Sequence, residues 1–140
     1  MYLIRLIYAS KISNSFNDRD IDNILSKSKK NNKIVNVTGA LIYNNKYFLQ
    51  CLEGSRIHVN KLYHSILLDK RHSDSSILNY EEISQRDFDQ WQMGYVPSPK
   101  ISGDLILKYS GERKLNPFSM SGESCYLLMK EMKDLGLFRK

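Results

Sequence analysis

Residues Tyr2 to Ala9 form an apolar, β-branched and aromatic run without a breaker, the composition of a strand covered on both faces and therefore central in a sheet. Asn17, Asp18, Arg19 and Asp20 follow with cap and first-turn chemistry, and Ile21, Ile24, Leu25, Ser28 and Asn32 then recur along one helical face. That face turns polar towards its end, and a buried amide such as Asn32 requires a hydrogen-bond partner. Residues 38–43 and 46–52 flank Asn44 and Asn45 and predict a β-hairpin, because asparagine tolerates the positive φ of a tight turn. Glu53, Gly54 and Ser55 are expected to break the second strand, with Ser55 as a helix cap. Val59, Leu62, Tyr63, Ile66 and Leu67 then give a second amphipathic helix ending near Asp69. Strands over Ile77–Ile83 and Trp91–Val96 complete the pattern, closed by Pro97 and Pro99.

The order βαββαββ predicts an α+β, ferredoxin-like sandwich, with the first and third strands as parallel neighbours and both helices on one sheet face. From about Gly103 the chain holds a short apolar segment, Leu105 to Leu107, and a longer stripe at Cys125, Leu128, Met129, Met132 and Leu135, stopped by Gly136. Two C-terminal helices are expected to cover the other face. The division is a core over residues 1–96 and a helical extension over 97–140. No internal repeat suggests a different organisation.

Composition narrows the class. The chain has 140 residues, 41% hydrophobic and 26% charged, which suits one domain with a core large enough to need neither disulfides nor a structural metal. Arg5 interrupts the opening apolar run, no cleavage site follows it, and no uncharged stretch is long enough to span a bilayer, so a soluble cytoplasmic protein without membrane contact is expected. Cys51 and Cys125 lie far apart in apolar surroundings and read as reduced, buried thiols. The net charge of +6 is uneven, with seven basic and three acidic groups in residues 1–37 but six and seven in 38–99. Lys27, Lys29, Lys30 and Lys33 make the densest basic patch, which a solvated helix end explains better than a nucleic-acid groove.

Metal and hydrolase chemistry find no support in the motifs. His58, His64 and His72 lack zinc-ligand spacing, and neither a Gly-x-Ser-x-Gly nor a phosphate-cradling glycine loop occurs. What remains is a set of neutral polar groups brought together by the deduced fold. Tyr8 ends the first strand, Gln50 lies beside it on the third between Leu49 and Cys51, and Ser28 and Asn32 project from the first helix. A glutamine in so apolar a strand loses water and has to be paired. Hydrogen-bonding groups around an apolar cleft suit a flat, uncharged heterocycle.

Tyr8-Ala9-Ser10, Asn31-Asn32, Thr38-Gly39-Ala40-Leu41, Phe48-Leu49-Gln50-Cys51-Leu52-Glu53-Gly54, Asp69-Lys70-Arg71-His72 and Trp91-Gln92-Met93 occur in this order and spacing. Together they resemble a BLUF domain, a blue-light sensor using FAD, over residues 1–96. The resemblance implies FAD between the two helices, with Asn32 and Asn31 hydrogen-bonded to the polar edge of its ring and Ser28 and Phe48 in the same pocket. Leu41 and Ile66 would pack on the ring faces, and Asp69, Arg71 and His72 would lie near the ribityl and phosphate end. Ser65 stands where several members carry a basic residue, leaving Arg71 or Lys70 as the nearer cations.

The same resemblance makes Tyr8 a photochemical electron and proton donor and Gln50 the amide that rearranges, giving a red-shifted state with the flavin unreduced. Trp91 and Met93, at i and i+2 of a strand, are expected on one face where either could sit by Gln50 and relay its change. The chain is then a photoreceptor and not an enzyme. It is expected to act on a protein partner in trans, and as a homo-oligomer, with the Cys125–Leu135 stripe as a contact if the sheet does not consume it. Two other readings of the fold are weaker. An RNA-binding module would need a glycine and basic pattern that residues 46–52 lack, and a small phosphatase would need an Arg-bearing phosphate loop that residues 10–17 lack.

Overall fold

The computed structural model describes residues 2–13 and 17–140. Residues 14–16, within the loop weighed above as a phosphate cradle, lie outside the described residues. Strand β1 (Leu3–Ile12), helix α1 (Asp18–Ile34), strands β2 (Thr38–Tyr43) and β3 (Tyr47–Ser55), helix α2 (Arg56–Leu68), and strands β4 (His72–Glu82) and β5 (Gly94–Pro97) follow the expected order. Helices α3 (Gly103–Tyr109) and α4 (Gly122–Asp134) complete it.

Local chemistry accounts for the boundaries. Asn17 accepts from the backbone of Arg19 and Asp20, while Asp20 accepts from the Asn17 N–H at 2.8 Å, a reciprocal cap that starts α1. Ser55, Ser102 and Ser121 cap α2, α3 and α4 by the same hydroxyl chemistry. The β2–β3 turn is built differently from the expectation. Positive φ falls at Asn36 and Asp74, not at Asn44 or Asn45. Instead Asn44 Oδ1 accepts from the backbone of Lys46 and Tyr47 at 2.8 and 2.7 Å, so a side chain imitates the turn carbonyl.

The sheet order is β4-β1-β3-β2-β5. β1 and β3 are neighbours as expected, but antiparallel rather than parallel. The reason is that the α1 crossover makes β1 and β2 run the same way with a gap between them. β3 fills that gap after a tight hairpin and must oppose both. β2 and β5 pair in parallel at the far edge.

Strand lengths depart from the pattern, most of all at β3 and β4. Glu53 and Gly54 do not break β3; they continue it to Ser55. A Cβ at Gly54 would come within 2.9 Å of a Val37 methyl, so glycine here permits close packing and does not end the strand. β4 begins at His72, five residues before the expected start, because an edge strand can carry polar residues and still pair on one side with β1.

The strand alternation sorts two cores. Ile4, Leu6, Tyr8, Leu41, Phe48 and Leu52 meet Ile21 and Leu25 of α1 and Val59 and Tyr63 of α2 on one face. Ile7, Ala40, Ile42, Leu49 and Cys51 meet Leu105 and Ile106 of α3 and Leu128, Met129 and Met132 of α4 on the other. The C-terminal helices thus cover the second face, and both cysteines are buried and free. The sheet consumes Cys125, Leu128, Met129 and Met132, and Leu135 of that stripe stays exposed. No helix among the described residues is long and apolar enough to cross a membrane.

Candidate functional site

α1 and α2 leave a pocket of about 700 Å³, mouth included, over the first sheet face. Tyr8 and Gln50 form its floor because they are opposed residues in the β1–β3 ladder. Leu41 and Phe48 flank them from β2 and β3. Ser28, Asn31 and Asn32 enter from α1, Ile66 from α2, and Asp69, Arg71 and His72 from the segment that leads into β4. Eleven pocket residues named from the sequence are therefore together. Lys27, which the sequence reading left on a solvated helix end, also lines the pocket, whereas Lys70 does not.

The Tyr8 hydroxyl donates to Gln50 Oε1, and Gln50 Nε2 donates to Met93 Sδ at 3.3 Å. Burial, followed by the fields of Tyr63 and Asp69, pushes the Tyr8 phenol far above its ordinary range, so it is held neutral. Its proton has an amide oxygen as acceptor, and both residues are buried. The Tyr63 ring packs at 5.2 Å between centroids, tilted by 57°. Asn32, 1% exposed, spends one amide hydrogen on the Gln92 carbonyl at 2.9 Å, which ties α1 to the segment before β5.

The side of the pocket near β4 carries charge. Asp69 accepts from Arg71 Nε at 3.0 Å and from Arg71 Nη2 at 2.6 Å, and that pairing holds the carboxyl below its usual range. His72 shares a hydrogen bond with Ser10 Oγ at 2.8 Å, and burial lowers its pKa to about 4. It is a neutral ring at physiological pH, stacked at a 40° tilt on Phe48 with centroids 4.5 Å apart.

Trp91 and Met93 do not share a face. β5 starts only at Gly94, so the i, i+2 rule of an extended strand does not apply to them. Met93 is buried at the pocket floor against Gln50. Trp91 turns to the second core, where its ring lies 5.4 Å from that of Phe138.

A second constellation went unread in the sequence. Arg5 opposes Glu53 in the same β1–β3 ladder, on the face away from the pocket. Glu53 is fully buried and accepts from Arg5 Nε at 2.9 Å, from the Asp87 N–H at 3.0 Å and from the Phe88 N–H at 2.6 Å. Arg5 also pairs with Asp87 at 2.7 Å and Glu81 at 3.0 Å and lies over the Tyr126 ring at 4.3 Å. Tyr126 and Lys133 of α4 donate to the Asp87 carboxylate and carbonyl. The signal was present as two opposite charges, each alone in an apolar strand run, on strands expected to be neighbours.

Residues 3–94 match the profile of a family described as BLUF, sensors of blue light using FAD. The chain belongs to the BLUF family. It is similar to a BLUF protein, BlrB, solved in its dark state, at 26% identity and a TM-score of 0.83, covering 97% of this chain and 98% of that one. The ground state of BlsA is 29% identical with a TM-score of 0.83, covering 92% of this chain and 86% of that one. The blue light- and temperature-regulated antirepressor of Escherichia coli K12 is 36% identical over 70 residues, 50% of this chain and 17% of that protein. Photoactivated adenylate cyclase subunits of Euglena are also similar, with the match to the one from Euglena longa covering 10% of its length. The chain thus spans a small part of these curated relatives. The family is described as sensors of blue light, and FAD is its cofactor.

The pocket suits that cofactor on its own chemistry. Neutral amides from Asn31, Asn32 and Gln50 meet apolar Leu41, Phe48 and Ile66, the donor set of a flat ring with a polar edge, and charge is confined to the remainder of the lining.

Proposed function

We propose that this chain is a blue-light receptor in which residues 1–96 hold FAD and residues 97–140 carry the response to a protein partner. The observation that carries the reading is the buried chain from Tyr8 through Gln50 to Met93 on the floor of a pocket lined with amides. Asn31, Asn32 and Ser28 would hold the ring edge and Leu41, Phe48 and Ile66 its faces. Asp69, Arg71 and His72 would shape the end towards the ribityl chain. When bound and excited, the flavin supplies a strong oxidant and a carbonyl edge whose hydrogen bonding sets its colour.

Tyr8, held neutral by burial, must release its proton whenever it loses an electron, and Gln50 Oε1 is hydrogen-bonded to it to take that proton. The Gln50 amide is weakly held at its other end, since a thioether is a poor acceptor. It can therefore let go of Met93 at small cost and turn so that Nε2 donates to the Tyr8 oxygen, which frees Oε1 for another donor. Met93 is the first residue to feel that turn, and the main chain carries it to Trp91 and Phe138 at the second core. Asp87, in the same connection from β4 to β5, is fastened to α4 by Tyr126 and Lys133. Signal output through α4 follows from that fastening. The antirepressor activity named for the E. coli relative supports a protein partner in trans, and self-association belongs to the same proposal.

The test is the visible spectrum of purified protein in the dark and under blue light, for wild type and Tyr8→Phe. A yellow protein with a reversible red shift that Tyr8→Phe loses supports the reading. A colourless protein that also fails to take up added FAD overturns it.

A further inference from the structure

Three charged residues line the pocket, Lys27, Asp69 and Arg71, and their pairing is unequal. Asp69 grips Arg71 through Nε, Nη2 and the backbone N–H, so the two charges cancel in place. The field of Asp20 falls on Arg71 as well. His72 is neutral at physiological pH. Ser65 faces the pocket from α2 without charge and donates its hydroxyl to the Lys61 carbonyl of its own helix. That leaves the lining with a net positive charge carried by Lys27, which has no ion pair among the described residues.

The helix explains why this lysine differs from its neighbours. Ile24, Lys27, Ser28, Asn31 and Asn32 lie at i, i+3, i+4, i+7 and i+8, one stripe of α1 turned to the pocket. Lys29 lies instead over the Tyr95 ring at 5.3 Å, and Lys30 and Lys33 are outside the lining. Of the basic cluster, Lys27 is the member that lines the ligand space, and it is exposed there. It stands one helix across from Ser65.

We propose that Lys27 recognises the phosphate of the flavin nucleotide in this chain, in place of a cation from α2 or of Arg71. This rests on the flavin reading above. A flavin 5′-phosphate is common to FMN and FAD and absent from riboflavin, so the residue selects phosphorylated flavins as a class.

The full-length chain, stripped of flavin, is titrated with riboflavin, FMN and FAD by flavin fluorescence, for wild type, Lys27→Gln and the neighbouring control Lys30→Gln. Lys27→Gln weakens FMN and FAD about tenfold, the size of one charge-assisted contact, and leaves riboflavin unchanged. Raising salt weakens FMN and FAD for wild type and has little effect on Lys27→Gln. Equal FMN and FAD affinities in wild type and Lys27→Gln, or an equal loss for riboflavin, overturn the assignment while leaving the flavin reading intact. Wild type that binds none of the three flavins overturns the flavin reading and this inference with it.

Discussion

β1 and β3 carry two opposed polar pairs, three residues apart, on opposite faces of the sheet: Tyr8 with Gln50, and Arg5 with Glu53. Both are buried, yet their chemistry differs. The first pair is neutral, and its amide has a donor end and an acceptor end that can trade places. The second is ionic. Glu53 accepts from a guanidinium and two backbone N–H groups, and Arg5 meets two further carboxylates, so no rotation returns it to an equivalent state. A ladder that holds one side still can let the other side turn. The contrast suits the proposal that the Gln50 amide turns on the pocket face while the Arg5–Glu53 pair keeps β1 and β3 in register beneath it.

The contrast breaks most severely at the ionic pair. Glu53→Ala leaves Arg5 Nε and two backbone N–H groups without their acceptor in the core and is expected to cost about 3–5 kcal/mol, a large part of the stability of a domain of this size. Urea unfolding of the flavin-loaded protein checks it, and a loss under about 1 kcal/mol contradicts the anchoring role. Acid tests the pocket face next. The unfolded imidazole of His72 titrates near 6.5 and the folded one at about 4, so between those values the unfolded chain binds more protons. Stability therefore falls as pH drops through that window, by on the order of 3 kcal/mol in all. His72→Phe flattens this slope in urea midpoints measured across the range. Asp69 adds a loss of the same sign further down, since its lowered pKa makes its contribution present above the ordinary carboxylate range and lost below it.

Subtler variants separate function from stability. Tyr8→Phe removes one hydrogen bond, with an expected cost of about 1–2 kcal/mol, and keeps the flavin while abolishing the light-induced shift. Tyr126→Phe removes the hydroxyl that fastens α4 to Asp87 for about 1 kcal/mol. Its spectrum should respond to light as wild type does, while hydrogen exchange in α4 no longer differs between dark and light. If α4 in Tyr126→Phe still responds fully, output does not run through Asp87.

How much of this was legible depends on what a residue interrupts. Gln50, Ser28 and Asn32 stood out because each is a neutral polar group in an apolar pattern, and each lines the pocket. Arg5 and Glu53 interrupt their runs in the same manner, but charge in a strand reads readily as exposure or as a break, and only pairing across the ladder removes that ambiguity. The expected β4 is short because the His72 to Ser76 portion of this edge strand has no apolar period to show. The side-by-side placement of β1 and β3 followed from the crossover rule, whereas their direction depended on which strand fills the gap. Met93 and Trp91 part company because alternation holds only within an extended strand, and the backbone leaves that state before Gly94. In the sequence Lys27 is one lysine of a cluster, and its place in the pocket lining depends on the position of a second helix that no local pattern encodes.

The end of the chain has one more property. Tyr95 and Arg139 exchange two backbone hydrogen bonds of 2.9 Å, which seals the open edge of β5 with residues from beyond α4. Tyr95 is two positions from Met93, so whatever is joined after residue 140 is tethered almost directly to the part of the sheet that light is proposed to move. On that proposal, an attachment made after residue 140 is coupled to β5 through the Tyr95–Arg139 bridge and is not a neutral one. A cargo fused there through a short, stiff linker would be pulled with β5, and one fused through a long flexible linker would be insulated from it.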